Sequence, residues 1–171
     1  MPRICIREAV PGDTPLILTL IKGLAEYERL ADAVVATETQ VRESLFGDRP
    51  QAEVLIAEVD GVAAGFALFF HNYSTFLGRR GLYLEDLFVF PAYRGLGIGT
   101  RLLARLAALA VERRCGRFEW SVLDWNSDAI GFYRALGAEP MDDWTTFRLT
   151  GDALMALAHR SHGDEKGGAV E

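Results

Sequence analysis

A glycine-rich loop is the segment whose residue types most directly suggest chemistry. Arg94 opens it, and three glycines alternate behind it, Gly95, Gly97 and Gly99, before an amphipathic segment with helical spacing. Bare backbone N–H groups at the start of a helix bind anions, and the helix dipole adds to that attraction. The guanidinium of Arg94 supplies a positive charge that suits phosphate oxygens. The loop therefore predicts a site for a phosphate or pyrophosphate group, the plainer alternative being a tight strand-to-helix turn.

Two better-known phosphate loops do not match this segment. A Walker loop needs Gly-Lys followed by Ser or Thr, whereas Gly99 is followed directly by Thr100. The dinucleotide fingerprint needs a further glycine three positions after Gly97, where this chain has Thr100, and no suitable acidic residue follows on a next strand. Both nucleotide classes are therefore excluded, and another phosphate-bearing ligand is expected.

Two adjacent carboxylates interrupt the apolar segment that precedes this loop. Glu85 and Asp86 lie inside a run with strand character. Successive side chains of a strand point to opposite faces, so we expect only one of the two to face a cleft. Burying a carboxylate without a partner is costly, so the pair needs a reason. For Asp86 we favour a structural acid that caps or pairs with an arginine.

Further candidates are weaker when they are judged from the residues alone. Tyr133 follows Phe132 in a short helical segment, and an ordinary core aromatic is the plainer interpretation. Tyr27 and Glu28 lie at the end of the first predicted helix, where a solvated helix end is equally expected. His71 could act as a base, although a single histidine at a strand end is usually incidental. No constellation suggests a metal site.

Composition restricts the class of protein. The chain has 171 residues and a net charge of −6, with no Lys/Arg cluster, so nucleic acid is not an expected partner. Cys5 and Cys115 match no metal spacing, and we interpret them as reduced and buried. No apolar run is long enough for a membrane span or resembles a signal peptide, so we expect a cytoplasmic protein. One domain is predicted over 1–160, with a disordered tail over 161–171.

The elements that must position these residues alternate between strand and helix. Helices are predicted near 14–30, 37–46, 98–114, 128–136 and from 152 onward. Strands are predicted around Ile4 and Ile6 and at 54–59, 62–70, 81–90, 118–123 and 145–149. Asp60-Gly61 is a hairpin turn signal, and Thr37 to Gln40 has the form of a capping box. The order predicts an α/β domain with a mixed sheet and helices on both faces.

The loop from Arg94 to Gly99 resembles the acyl-CoA pyrophosphate loop of the GNAT acetyltransferase superfamily, whose pattern is Arg/Gln-x-x-Gly-x-Gly/Ala. The resemblance extends over roughly 3–158. Four segments are similar to the spermidine/spermine (diamine) acetyltransferase branch of that superfamily: 20–28, 82–89, 93–95 and 126–137. The chain departs from this branch around 71–80 and after Trp144, in segments that flank the expected acceptor cleft.

The resemblance implies a sheet of about seven strands in which two parallel neighbours splay apart around the pantetheine arm of acetyl-CoA. It implies that the backbone of Leu87 and Val89 holds pantetheine, and that Gly95 to Thr100 hold the pyrophosphate. The residues it places at acetyl-CoA are Leu87, Phe88, Val89, Arg94, Gly95, Leu96, Gly97, Ile98, Gly99, Thr100, Asn126 and Ala129.

The resemblance also assigns the chemistry. Tyr133 would protonate the departing thiolate, and Glu85 would attract and deprotonate a cationic amine, with Tyr27 and Glu28 at the amine site. Acetyl transfer would be direct, to a polyamine, diamine or amino-acid-like amine, in a homodimer. Two alternatives remain open: a GNAT enzyme for another acceptor, such as a protein N-terminus or an antibiotic amine, and a non-catalytic acyl-CoA-binding domain.

Overall fold

Five strands form one mixed sheet in the spatial order β1-β2-β3-β4-β5. Their bounds are Ile4–Glu8, Glu53–Val59, Val62–Ser74, Arg79–Val89 and Phe118–Trp120. The first four pair antiparallel, each with the next along the chain, whereas β5 runs parallel to β4. The mixed sheet is as predicted from the sequence, but the described residues contain five strands rather than the expected seven.

The computed structural model describes residues 1–161, which divide into two compact units, Met1–Leu123 and the part that begins at Asp124. The first unit contains the sheet and helices α1 to α3, whose bounds are Thr14–Tyr27, Glu38–Phe46 and Ile98–Glu112. The second unit contains α4 and α5, with bounds Ser127–Ala135 and Gly151–Arg160. The tail predicted for 161–171 lies outside the described residues, apart from Ser161.

Local sequence signals account for several element boundaries. Asp60 and Gly61 have φ values of 51° and 83°, and this left-handed pair makes the tight turn between β2 and β3. The Thr37 hydroxyl accepts a hydrogen bond from the Gln40 N–H at 3.3 Å, and the Gln40 side chain accepts one from the Thr37 N–H at 2.9 Å. This reciprocal capping box starts α2 where the sequence predicted it.

The core has one layer on each face of the sheet. On the first face, α1 and α2 pack on strand residues in a cluster that includes Ile17, Leu20, Ile56, Phe66 and Phe88. On the other face, α3 lies against β1 to β4. Its buried stripe is Leu102, Leu103, Leu106, Leu109 and Ala110, as the helical spacing predicted. The second unit has no fully buried residue among those described.

Three expectations from the sequence are wrong. Residues 145–149 form no strand, because a strand needs a partner ladder and none is bonded to this exposed segment. β5 stops at Trp120 instead of continuing to 123. Cys5 is exposed rather than buried, since it lies on the outward side of an edge strand, and Cys115 is half-buried; both thiols are free.

No helix within 1–161 is long and apolar enough to cross a membrane.

Candidate active site

The second half of β4 has no strand beside it on the side where β5 pairs with the first half. β4 and β5 pair over only three positions, from Leu82 opposite Phe118 to Leu84 opposite Trp120. β4 then continues to Val89, and within residues 1–161 no strand pairs with this continuation on the β5 side. β5 ends at Trp120, so the side of β4 from 85 to 89 is open within residues 1–161, where the resemblance expects the pantetheine arm. This open side of β4 is called the gap below.

The direction of backbone groups along β4 follows from its pairing with β3. The Phe90 N–H donates to the Ala64 carbonyl at 2.9 Å, and the register also places Phe66 opposite Phe88. Hydrogen-bonded and non-hydrogen-bonded pairs alternate along an antiparallel ladder. The N–H and C=O groups of Phe88 consequently point toward β3, whereas those of Leu87 and Val89 point away from β3 and into the gap.

The glycine-rich loop joins this part of β4 to the start of α3. Gly95 and Gly97 have φ values of +79° and +75°, in the left-handed region that favours glycine. A Cβ built on either would meet no atom within 4 Å, so conformation and not space is what requires glycine there. Gly97 is the N-cap of α3, and the first bond along the helix runs from the Arg101 N–H to its carbonyl at 3.1 Å. The N–H groups at the helix start, those of Ile98, Gly99 and Thr100, precede that bond.

Arg94 connects this loop to two other elements. Its guanidinium carbon lies 4.6 Å from the centroid of the Tyr27 ring, at the end of α1, and 6.0 Å from that of the Phe88 ring. Its Nε donates a hydrogen bond to the Val89 carbonyl at 3.1 Å. The structure thus brings together Arg94, the end of β4 and the predicted amine residue Tyr27.

Close packing of α1 on β4 fixes where Tyr27 lies. Gly23 faces Phe88, and a Cβ at this position would come within 2.9 Å of Phe88 Cε1 and 3.6 Å of Phe90 Cε1. Any larger side chain would push the helix away from the strand. Gly23 therefore sets the distance between the C-terminal end of α1 and the strand that carries the acidic pair.

A β-bulge separates Glu85 from Asp86. Leu68 lies opposite Asp86, whereas its neighbour Phe69 lies opposite Leu84, so Glu85 is an extra residue without a partner in β3. Residues opposite each other share a face. Leu68 packs against the α1–α2 core cluster, so Asp86 faces the α1 side. The simple alternation expected from the sequence fails at this point, because the bulge re-aims the chain.

The surroundings of the acidic residues differ. Glu85 is exposed, whereas Asp86 is half-buried and has no hydrogen-bond or ion-pair partner within residues 1–161. Burial, followed by the negative charges of Glu85 and Glu28, raises the pKa of Asp86 to about 6. Burial also raises the pKa of Glu28. The structural arginine partner that the sequence favoured for Asp86 is absent from the described chain, and the residue belongs with Glu28 and Glu85 in one acidic group.

The sequence analysis did not predict the bulge beside Asp86. Leu84 and Phe88 are both buried and four positions apart, which in a regular strand would place them on one face. Phe88 belongs to the α1–α2 core cluster and Leu84 does not. In the sequence, apolar residues stand before Glu85 and after Asp86, and the two runs are out of phase. This weakly indicates a bulge, but periodicity alone does not distinguish a bulged strand from a continuous one.

The second unit holds the remaining predicted residues. The Asn126 side chain caps α4 by accepting a hydrogen bond from the Ala129 N–H at 3.3 Å, which gives both residues a structural role. Tyr133 lies near the middle of α4, half-buried, with its ring centroid 5.4 Å from that of Phe132. The helix ends at Gly137, whose φ of 87° is that of a left-handed C′ residue.

His71, the alternative base, belongs to another set of contacts. It lies opposite Leu82, on the α3 side of the sheet. Its Nε2 is 3.5 Å from Nη1 of Arg113, which also forms a two-point ion pair with Glu53. Burial and the positive charge of Arg113 lower the pKa of His71. His71 and Asp86 therefore face opposite sides of the sheet.

Two further features lie apart from the predicted site residues. Within residues 1–161, no group of three or more His, Cys, Asp or Glu side chains is placed to hold a metal ion. A cavity of about 190 Å³ lies between the end of α2 and the start of β2, and it contains none of the predicted site residues. Its lining is mainly apolar, with Glu8 and Glu53 as its only charged members.

Comparison with known proteins gives the family. The family model described as Acetyltransferase (GNAT) family matches residues 22–138. Thialysine N-epsilon-acetyltransferase of Sus scrofa is 39% identical, over 92% of this chain and 99% of the relative. Spermidine/spermine N(1)-acetyltransferase-like protein 1 of Homo sapiens is 37% identical, over 90% of this chain but 23% of the relative.

A solved structure of similar fold covers nearly the whole chain. The integron cassette protein VCH_CASS6 from the mobile metagenome of V. cholerae superposes with a TM-score of 0.76 and 25% identity, over 91% of this chain and 97% of the other. The family match spans the C-terminal end of α1, the gap, the glycine-rich loop and α4. The chain therefore belongs to the GNAT acetyltransferase family and is an acetyl-CoA-dependent N-acetyltransferase.

Proposed function

We propose that this enzyme transfers the acetyl group of acetyl-CoA directly to a primary amine of a small cationic molecule, either a polyamine or diamine or an amino acid with a side-chain amine. The observation that carries the proposal is the gap beside β4, where the backbone of Leu87 and Val89 points outward and leads into the glycine-rich loop. The relatives named for thialysine and spermidine/spermine support an acceptor of this size and charge.

The residues around the gap fit acetyl-CoA. In the proposal the outward N–H and C=O groups of Leu87 and Val89 bind the amide groups of pantetheine in the manner of a further strand. The pyrophosphate lies on the N–H groups at the start of α3, where the helix dipole favours negative charge, and Arg94 adds a cation beside it. Acetyl-CoA supplies the thioester whose acetyl group is transferred.

The acidic group prepares the acceptor. An alkylammonium titrates near pH ~10, so the amine arrives charged and without a nucleophilic lone pair. Glu28 and Asp86 attract this cation, and Glu85, the exposed member, accepts its proton directly or through water. The neutral nitrogen then attacks the carbonyl carbon of the thioester, and the carbon–sulfur bond breaks.

The departing thiolate needs a proton, and Tyr133 is proposed to give it. By resemblance to the family, the phenolic O–H of this tyrosine is the group that faces the sulfur and acts as the general acid. The tyrosinate is afterwards restored by the proton that the amine has lost to solvent or to Glu85. Protons and charge balance over the cycle, because one ammonium proton ends on the sulfur and one is released.

We further propose, on resemblance to the family, that the enzyme is a cytoplasmic homodimer. Size-exclusion chromatography with light scattering measures this directly. A mass near twice the 18.9 kDa of one chain at micromolar concentration is the expected result. A single-chain mass at every concentration tested would contradict the dimer and leave the proposed reaction untouched.

Thermal denaturation tests the cosubstrate. A ligand that binds only the folded state stabilises it by about 2.7 kcal/mol at a hundredfold excess over Kd, so acetyl-CoA should raise Tm by several degrees, while NAD and ATP do far less. Gly97→Val should abolish the acetyl-CoA shift, because valine does not adopt the left-handed φ of this position. Gly12→Val is the matched control, since a side chain there meets no atom within 4 Å. Equal stabilisation by NAD would refute the assignment.

Release of free thiol from acetyl-CoA identifies the acceptor class. Spermidine, putrescine, ornithine and thialysine represent the proposed class, and a short peptide with a free N-terminus and an aminoglycoside represent the two alternatives. We expect kcat/KM to be largest for a member of the first group. A preference for the peptide or the aminoglycoside would replace the proposed acceptor, and no thiol release with any of these amines would exclude the proposed acceptor class.

A further inference from the structure

Arg94 connects three elements, the end of α1, the end of β4 and the glycine-rich loop. In the proposed function the first binds the amine and the other two bind acetyl-CoA. Its guanidinium lies over the Tyr27 ring at 4.6 Å, at the end of α1 on the amine side. Its Nε is bonded to the Val89 carbonyl at 3.1 Å, at the end of β4 on the pantetheine side. Its backbone opens the loop assigned to the pyrophosphate. One side chain thus touches the neighbourhood of both ligands.

The geometry leaves Arg94 able to hold phosphate and Tyr27 at once. A guanidinium has five N–H donors in its plane, and Nε uses one of them on Val89. The four donors on the two Nη atoms have no hydrogen-bond partner within residues 1–161. The contact with the Tyr27 ring, at 4.6 Å from its centroid, occupies none of these four donors with a hydrogen bond. A phosphate at the edge would therefore fix the plane of Arg94 without displacing it from Tyr27.

The charge of Arg94 matters for the amine as well. The guanidinium lies beside the Tyr27 ring, so its positive charge repels an ammonium that approaches this ring. Pyrophosphate bound at Arg94 neutralises that positive charge. Cosubstrate binding therefore favours binding of the amine in two ways. It holds the Tyr27 ring in place, and it removes the repulsion of the ammonium by Arg94.

From these contacts we infer that Arg94 is a positioning residue for the acceptor: through its stack on Tyr27 it makes the binding of acetyl-CoA and of the amine mutually favourable. This inference rests on the proposed function, because it takes Tyr27 as part of the amine site and the loop as the pyrophosphate site. Linkage requires the effect to be reciprocal, so an amine tightens CoA binding by the same factor by which CoA tightens amine binding.

Calorimetry with CoA, which binds without turnover, measures this factor. The Kd of spermidine is determined with and without saturating CoA, and the Kd of CoA with and without saturating spermidine, with thialysine as a second probe. For the wild type we expect both ratios to agree and to lie in the range of about 5- to 150-fold that is usual for coupled sites. If spermidine alone binds too weakly to measure, the ratio obtained from CoA carries the same information.

Three variants separate positioning from simple contact. Tyr27→Leu removes the ring and should bring the ratio to within about twofold of one, whereas Tyr27→Phe keeps the ring and should keep the ratio. Arg94→Lys keeps the charge but loses the plane, and should lower the ratio as well. A residue that only contacts the amine would weaken both spermidine measurements equally and leave the ratio unchanged. Both positions are exposed, so the variants should fold, and Tm verifies this.

The outcomes are distinct from those of the proposed function. If the wild type does not bind CoA at all, the proposed function fails first. If CoA and amine both bind and turnover occurs, but the wild-type ratio is one or is unchanged in Tyr27→Leu, the inference is overturned while the reaction stands. A double-mutant cycle on CoA affinity gives a second reading, since Arg94→Lys and Tyr27→Leu should be non-additive when measured with saturating spermidine.

Discussion

Glu85 and Asp86 are neighbours in the chain, yet the bulge places them in different surroundings. Glu85 is exposed at the extra position of β4, whereas Asp86 is half-buried on the α1 side and its pKa is raised to about 6. An exposed carboxylate can accept a proton and exchange it with solvent, whereas a half-buried carboxylate with a raised pKa responds to charges that come close to it. The two side chains are therefore suited to different tasks in one site.

Replacing Glu85 by Gln keeps its size and removes its charge and basicity. We expect weaker amine binding, a turnover about 10²-fold or more lower at pH 7, and partial recovery as pH rises, because more amine then arrives deprotonated. Acetyl-CoA affinity should not change. The measurement is the rate against pH at saturating acetyl-CoA for both proteins, with Glu119→Gln, a carboxylate paired with Arg117, as the control. Superimposable profiles would make Glu85 a structural acid.

Tyr133 is tested by removal of its hydroxyl alone. Tyr133→Phe keeps the ring beside Phe132, so packing in α4 should be nearly unchanged. Protonation of a leaving group contributes ~10²–10⁴-fold, so turnover should fall by at least the lower figure, with acetyl-CoA affinity retained. Phe132→Leu is the comparison for a residue that only packs. A folded Tyr133→Phe enzyme with wild-type turnover would assign the tyrosine to packing.

At the scale of elements, the approach of α1 to β4 depends on Gly23. A Cβ at this position would lie 2.9 Å from the ring of Phe88, which is 5% exposed and cannot easily move. Gly23→Val should cost about 1–3 kcal/mol of stability through overpacking, and should also raise KM for the amine because Tyr27 and Glu28 move with the helix. Urea denaturation and steady-state kinetics measure the two effects, with Gly12→Val as the uncrowded control. Loss of stability without a change in KM would separate the helix position from amine binding.

Element boundaries were predictable where one residue type carries a definite conformation. Asp60-Gly61 and the Thr37–Gln40 box act within four residues, so their outcome does not depend on the rest of the fold. The bulge at Glu85 and the early end of β5 depend on pairing between distant strands, which one sequence does not encode locally. The strand predicted for 145–149 was wrong for the same reason, since alternation without a bonded partner does not make a strand.

The candidate site was predictable to a similar degree. The spacing of the glycines predicted a bare loop that leads into a helix, and the structure has α3 beginning there at Ile98. The left-handed φ values of Gly95 and Gly97 were not predicted from the sequence. The contact between Arg94 and Tyr27 joins residues far apart in sequence, so no local pattern could indicate it. The raised pKa of Asp86 likewise depends on charges that come from α1 and β4 together.

At the scale of the whole molecule, Asp86 predicts an unusual dependence of stability on pH. Its folded pKa of about 6 lies above the ordinary 3.8, so the folded state holds a proton that the unfolded state loses. The proton on Asp86 therefore contributes fully to the free energy of unfolding below about pH 4, and this contribution is lost as pH rises through about 6. Asp86→Asn lacks this loss, so its stability relative to wild type should improve by up to about 3 kcal/mol from pH 4 to pH 7.

Asp13 provides a control of opposite sign. The Arg7 guanidinium, bonded to it at 2.8 Å, lowers the pKa of Asp13, so its contribution is present above the ordinary pKa and is lost as pH falls. Asp13→Asn should accordingly cost more stability at pH 6 than at pH 3. Urea denaturation at unit steps of pH measures both variants. An Asp86→Asn difference that stays constant from pH 4 to pH 7 would show that Asp86 titrates normally in the folded protein.

The early end of β5 leaves the second half of β4 as an open edge within the described sheet. Unpaired strand edges exchange their amide hydrogens quickly and offer a template to other extended chains. In the absence of acetyl-CoA, the amides of Leu87 and Val89 should therefore exchange faster than that of Phe88, which is bonded toward β3. Acetyl-CoA should protect them and also slow aggregation of the stored enzyme, and residue-resolved hydrogen exchange with light scattering measures both. The cosubstrate would then act as a removable strand, so that the supply of acetyl-CoA determines how long each enzyme molecule resists aggregation.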